Sequence, residues 1–148
     1  MYKGYCPVGA NGFEYFRLWD TKEQRMSCIM TLPEMLHEYS VSVWGERPFL
    51  VAIEEDTAIV MPSVGLDDVE GVALMKHDIV VWTVNKGLSR GVIEYGHYEW
   101  EGHMYFGWYV DCGDHIIPLS ANSWKRLGNK YEHPEMLPEA FLVDANQT

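Results

Sequence analysis

Between Asp78 and Leu119 the chain reads DIVVWTVNKGLSRGVIEYGHYEWEGHMYFGWYVDCGDHIIPL, four apolar or aromatic runs separated by three turn signals. That pattern predicts four short strands. Ile79 to Val84 is apolar at nearly every position and mostly β-branched, which suits a strand buried on both faces. Lys86-Gly87 signals a turn, and Gly91 to Tyr98 resumes as a strand in which Gly91 and Gly96 are candidate bulges or bends. After a loop over Glu99 to Gly102, His103 to Asp111 alternates. Met104, Phe106, Trp108 and Val110 fall on one face, the expected core face, with His103, Tyr105, Gly107, Tyr109 and Asp111 on the other. Cys112-Gly113-Asp114 turns the chain into Ile116 to Leu119, where Pro118 must end a strand or lie on an edge. Short strands with glycine bends at this spacing predict a small open β-barrel of the SH3 type.

The rest of the chain reads as layers around that barrel. Asn11-Gly12 is a turn dipeptide, Phe13 to Trp19 an aromatic strand, and Asp20 to Gln24 a turn from which Met26 to Met30 returns. Thr31 (N-cap), Pro33 and Glu34 open one short helix that places Leu32, Met35, Leu36 and Tyr39 on one face. Val41 to Trp44 returns to strand composition. Phe49 to Ile53 and Thr57 to Met61 then form a hairpin about an acidic turn, Glu54-Glu55-Asp56. Pro62 to Lys76 reads as a connector bent at Gly65 and Gly71, and Trp124 to Tyr131 as a last strand before a short turn or cap at His133 to Pro138. Residues 144–148 are expected to fray. The expected fold class is mainly β with minor α: a barrel over 77–148, a β-rich N-terminal part over 1–61 and a connector over 62–76, in a single domain spanning 1–148.

Charge narrows the partners. The 148 residues carry 22 acids against 11 bases, a formal charge of −11 that repels a phosphate backbone and disfavours general nucleic-acid binding. A basic or positively patched protein suits this field, and the same charge also serves plain solubility. Three cysteines, Cys6, Cys28 and Cys112, do not describe a disulfide framework, so a reducing cytosol is expected. No leader-like segment or apolar run of about 20 residues is present, so export and membrane insertion are not expected.

Several separated segments resemble the YopX family of phage and prophage proteins. Phe16-Arg17-Leu18-Trp19-Asp20, followed by Gln24-Arg25-Met26, resembles that family's opening strand. Met61 to Leu66, then Asp67 and Gly71, resembles its middle; Asp78-Ile79-Val80 and Gly91 to Tyr95 resemble the next two strands. Leu127 to Leu137 resembles its closing segment. Where the family has Gly before the Asp-Ile-Val strand, this chain has His77, and Thr31 to Thr57 carries no motif that aligns. The resemblance implies a phage or prophage origin, a β-rich fold with a small barrel, and self-association. It supplies no catalytic residues.

The residues themselves favour binding over catalysis. Cys112-Gly113-Asp114-His115 has ligand-like spacing, with His97 and His103 near by, but nothing completes the four N or S ligands of a structural zinc site. No local signature surrounds any cysteine, the paired acids fall in turns, and no glycine-rich phosphate loop occurs, so neither metal nor cofactor is expected. The aromatics exceed what one small core holds. Trp82, Tyr98, Trp100, Tyr105 and Tyr109, with Lys125 and Arg126, are the candidate binding residues, a subunit interface being the other use for such rings. The expectation is a cytoplasmic, phage-encoded, non-enzymatic protein that binds a host or phage protein during infection. Its narrower form is inhibition of a host defence or nucleic-acid-processing enzyme. The alternative is a nucleic-acid or nucleotide binder stacking bases on barrel aromatics beside Lys125 and Arg126.

Overall fold

The computed structural model describes residues 3–4, 13–31, 33, 55–84, 87–120 and 123–141. Among these the strands are β1 (Lys3–Gly4), β2 (Tyr15–Asp20), β3 (Arg25–Met26), β4 (Met30–Thr31), β5 (Ala58–Asp67), β6 (Ala73–Met75), β7 (Asp78–Val84), β8 (Gly87–Trp100), β9 (His103–Asp111), β10 (Ile116–Pro118) and β11 (Lys125–Asn129). One 3-10 turn, Pro134–Met136, follows them. The first sheet has the order β1-β9-β8-β7-β11 with β10 also on β9, a curled half-barrel of the SH3 type. A second sheet, in the order β3-β2-β5-β6 with β4 also on β2, forms the other β-rich layer. Pro33 is helical; most of the expected helix and the strands expected over 41–53 lie outside the described residues.

Strand alternation builds the core. Val80 and Trp82 on β7, Ile93 on β8 and Trp108 and Val110 on β9 point inward, where Val64 and Leu74 of the second sheet meet them. Trp124, fully buried, closes the space: its ring meets Trp82 edge to face at 4.7 Å and its indole N–H donates to the Ser120 carbonyl at 2.7 Å.

Three features differ from the sequence reading. Residues 62–76, read as a connector with bends, carry paired strands: β5 runs through Pro62 and Gly65 to Asp67 and β6 follows. Gly65, at φ 89°, lies where the β5–β6 register shifts, so this glycine makes a bulge within pairing rather than ending it. β7 is buried on both faces only in its first half; Thr83 and Val84 are exposed. Gly91 is a close approach rather than a bend. A Cβ there would fall 2.2 Å from Val110 Cγ1 and 3.2 Å from the Asp111 carbonyl.

One buried carboxylate joins the two sheets. Asp78, at the start of β7, is fully buried and accepts from the Arg17 guanidinium of β2. It also accepts from Arg126 Nε of β11 at 3.1 Å and from the Met75 amide at 2.8 Å. Burial pushes the Asp78 carboxyl up against the pull of both guanidiniums. The assembly therefore adds little net stability while intact, but leaving one charge alone is costly.

Asp78→Asn and Arg17→Met should each lower the unfolding free energy by about 3–5 kcal/mol, with the pair in one chain costing less than the sum. Gly91→Ala should cost about 1–3 kcal/mol by overpacking against Val110. Urea unfolding followed by tryptophan fluorescence checks all four proteins.

Candidate functional site

The β8–β9 hairpin outruns the barrel. Its strands stay paired from Val92 opposite Asp111 to Trp100 opposite His103. The turn is only Glu101-Gly102, at φ 51° and 78°, the positive pair a tight two-residue hairpin requires. Gly96 and Gly107 face each other at φ 147° and 149°, and this side-chain-free step marks where the arm leaves the barrel.

Burial changes sides at that step. Below it, Ile93, Tyr95, Trp108 and Val110 lie on the core side; beyond it, Phe106 and Met104 on the same side are 41% and 44% exposed. The alternation read from the sequence is present, but the core face ends at Trp108, beyond which no layer of the described residues covers that side of the arm. The rings remain in contact across the boundary: Trp108 to Tyr95 at 4.9 Å, Tyr95 to Phe106 at 5.2 Å and Phe106 to His97 at 5.0 Å. Phe13, 44% exposed, packs edge-on to Tyr95 at 5.1 Å and widens the strip. Exposed Glu99 and Glu101 give its tip an acidic end.

The candidates named from sequence do not come together in one site. Tyr98, Trp100, Tyr105 and Tyr109 share the arm's other face, where Tyr98 stacks on Tyr105 at 5.5 Å and lies 5.0 Å from Tyr109. Tyr98 and Tyr105 are buried, and Trp100 and Tyr109 half-buried, so this face holds structure more than it offers surface. Trp82 belongs to the core. Arg126 is held by Asp78, whereas Lys125 is exposed and sits 3.7 Å from Glu70. Phe13, Met104 and Phe106 were not singled out as binding residues, because period-two alternation cannot tell where a core stops.

The groups with reactive side chains are mostly committed. Burial pushes the Cys112 thiol up to about 12, with Asp114 and Asp111 adding to it, so the sulfur stays protonated and a poor nucleophile. His115 Nδ1 lies 2.6 Å from Asp114 Oδ1. Among the described residues no group of three or more His, Cys, Asp or Glu could hold a metal ion.

His77 explains the departure from the family's glycine. It sits at φ 71° in the β6–β7 turn, a left-handed position that glycine adopts without strain. Its Nδ1 lies 2.9 Å from Glu94 Oε1, which Lys130 Nζ also reaches at 3.3 Å. Tyr131 presses edge-on against the imidazole at 5.4 Å and stacks on Trp19 at 5.7 Å, so the opening and closing segments meet here. Burial holds the imidazole below its ordinary value despite Glu94. Burial resists ionisation of Glu94, but His77 and Lys130 still bring its carboxyl below the usual range. The neutral imidazole donating to a carboxylate satisfies both.

These features define a two-sheet β protein whose buried polar residues brace the scaffold and whose described surface includes an aromatic, acid-tipped arm. The chain belongs to the YopX family of phage proteins: the model for the YopX protein family matches residues 15–138. Arg17, Asp78 and Lys130-Tyr131, which lie in the segments that resemble the family's, meet at the two junctions described above. The chain is also similar to a solved structure, the crystal structure of protein EF1440 from Enterococcus faecalis. The two share 19% identity over 83% of this chain and 96% of that one, with a TM-score of 0.42. No curated protein gives a match. No helix among the described residues is long and apolar enough to cross a membrane.

Both His77 and Glu94 bind protons more weakly in the folded chain than in the unfolded one. Stability should therefore be fullest above the ordinary imidazole value of about 6.5 and fall as pH drops through it toward the carboxylate range. His77→Gly should remove the imidazole's share, flattening the slope between about pH 7 and 5. At pH 7 it should leave stability within about 1 kcal/mol, because relief at φ 71° offsets the lost hydrogen bond. Urea midpoints over a pH series read both effects.

Proposed function

We propose that this chain is a phage or prophage protein that works without catalysis, binding a host or phage protein in the host cytoplasm. The contact is the strip formed by Phe13, Met104 and Phe106 with the acidic tip at Glu99 and Glu101. The observation that supports this reading is the run of rings leaving the core along β8 and β9 and ending 41% exposed at Phe106. Apolar surface placed on a projecting arm and rimmed by charge is the usual composition of a protein contact. A formal charge of −11 favours a target with a basic face and speeds encounter with it. A host enzyme that handles nucleic acid has such a face, which makes inhibition by occlusion the narrower form of the proposal. Self-association belongs to the same reading, since several copies presenting the strip raise avidity for one target.

The nucleic-acid alternative is less well supported. It needs free rings beside free cations, and Tyr98 and Tyr105 are buried on the arm while Arg126 is spent on Asp78.

Tagged protein drawn through infected and uninfected host lysate, with nuclease, should retain a stoichiometric protein partner. Phe106→Asp together with Met104→Asp should abolish that capture and leave the melting temperature within about 2 °C, because the two side chains, 41% and 44% exposed, lie outside the buried core cluster. A large drop in melting temperature would make them core residues and remove the proposal's support.

A further inference from the structure

A second surface lies at the other end of β8, about 30–40 Å along the strand from the arm's tip. Val81 on β7 is opposite both Arg90 on β8 and Lys125 on β11. Residues in lateral register point to the same side, here the side away from the core residues Val80 and Trp82. Thr83 pairs with Leu88 one step along the same face. With Leu127 these side chains line an open groove of ≈ 490 Å³.

Its chemistry is unlike that of the rest of the surface. The chain has 22 acids and 11 bases, yet among the described residues that line this groove none is acidic and two are basic. Leu88, 75% exposed, stands beside Arg90 as an apolar post. The two cations have only weak engagements. Lys125 and Glu70 are both largely exposed at 3.7 Å, and such pairs contribute at most about 1 kcal/mol. Arg90 Nη1 donates to the Met136 carbonyl over 3.4 Å, a long bond at the surface.

We propose that this groove binds an extended peptide segment of a second protein in which two acidic residues four positions apart flank an apolar residue midway between them. Adjacent strands lie about 4.8 Å apart, so the Arg90 and Lys125 backbones flank Val81 at a separation of about 10 Å. Carboxylates four residues apart in an extended segment, about 13 Å, reach both cations on their long side chains. The apolar side chain midway between them points to the same face and settles on Val81, Leu88 and Leu127. Charge limits the ligand's length and class as well. Past Arg90 the surface continues into a recess lined by Glu135 and Glu139, which repels a long polyanion and disfavours nucleic acid as the occupant.

The test uses the purified full chain and fluorescence anisotropy with a labelled eight-residue peptide that has Glu at its second and sixth positions, Leu at its fourth and Ser elsewhere. Two other probes are the same peptide with Lys in place of the acids, and an eight-nucleotide oligothymidylate. Saturable binding of the acidic peptide alone is expected, weakening with salt and falling about tenfold or more in Arg90→Glu and in Lys125→Glu. Leu88→Ser, at a site already in water, should weaken it without altering the melting temperature. Phe106→Asp should leave it unchanged, which separates this site from the arm and its failure from that of the function proposed above. The proposal is overturned by no saturable binding of the acidic peptide, or by binding indifferent to the groove substitutions. Equal binding of oligothymidylate with the same sensitivity would also overturn it, as would self-association that depends on Lys125 without peptide binding.

Discussion

The carboxylate of Asp78 is the point on which the two sheets depend. It receives Arg17 from the second sheet and Arg126 from the first, and it is fully buried, so neither sheet can be correctly placed without the other. A single unpaired charge in that position costs several kcal/mol, which penalises every alternative docking of the layers. Two further buried acids repeat the device locally. Asp20 accepts from the amides of Lys22 and Glu23 to hold the β2–β3 turn. Asp68 accepts from the amides of Glu70, Val72 and Arg126, tying the β5–β6 turn to β11.

This arrangement accounts for what the family segments do. Arg17, Asp78, Lys130 and Tyr131 are far apart in sequence and meet at two junctions, one ionic and one built on His77, Glu94 and Trp19. The closing segment has the same character: Asn129 accepts from the amides of Tyr131 and Glu132, and a Cβ on Gly128 would meet the His133 ring at 2.4 Å. Residues that elsewhere would suggest chemistry are here bracing a fold. The described surface offers two contrasting regions on one long strand, an acid-tipped aromatic arm and a cationic groove.

Much of the barrel was legible in the sequence because its strands are dense in β-branched and aromatic residues; the His103–Asp111 strand is read to the residue. The β5–β6 pair was not, since Pro62 and Gly65 look like breakers when the partner strands that absorb a missing N–H and a bulge are out of view. The candidate surface was only half legible. Aromatic excess pointed to the arm, but Met104 and Phe106 share the period of Trp108 and Val110, and only the arm's length beyond the Gly96–Gly107 step separates exposed from buried. Lys125 was noticed for its charge; its pairing through Val81 with Arg90 is a matter of register and cannot be counted along the chain.

The central claim is that the family residues hold the scaffold while the β8–β9 arm makes contact with a partner. Amide hydrogen exchange of the free chain against the chain bound to its captured partner tests it most directly. The account predicts added protection over residues 97–106 and almost none around Arg17, Asp78 and Arg126, whose amides are slow to exchange already. Protection concentrated at that ionic junction, with the arm unchanged, would contradict it and make the family residues the binding site.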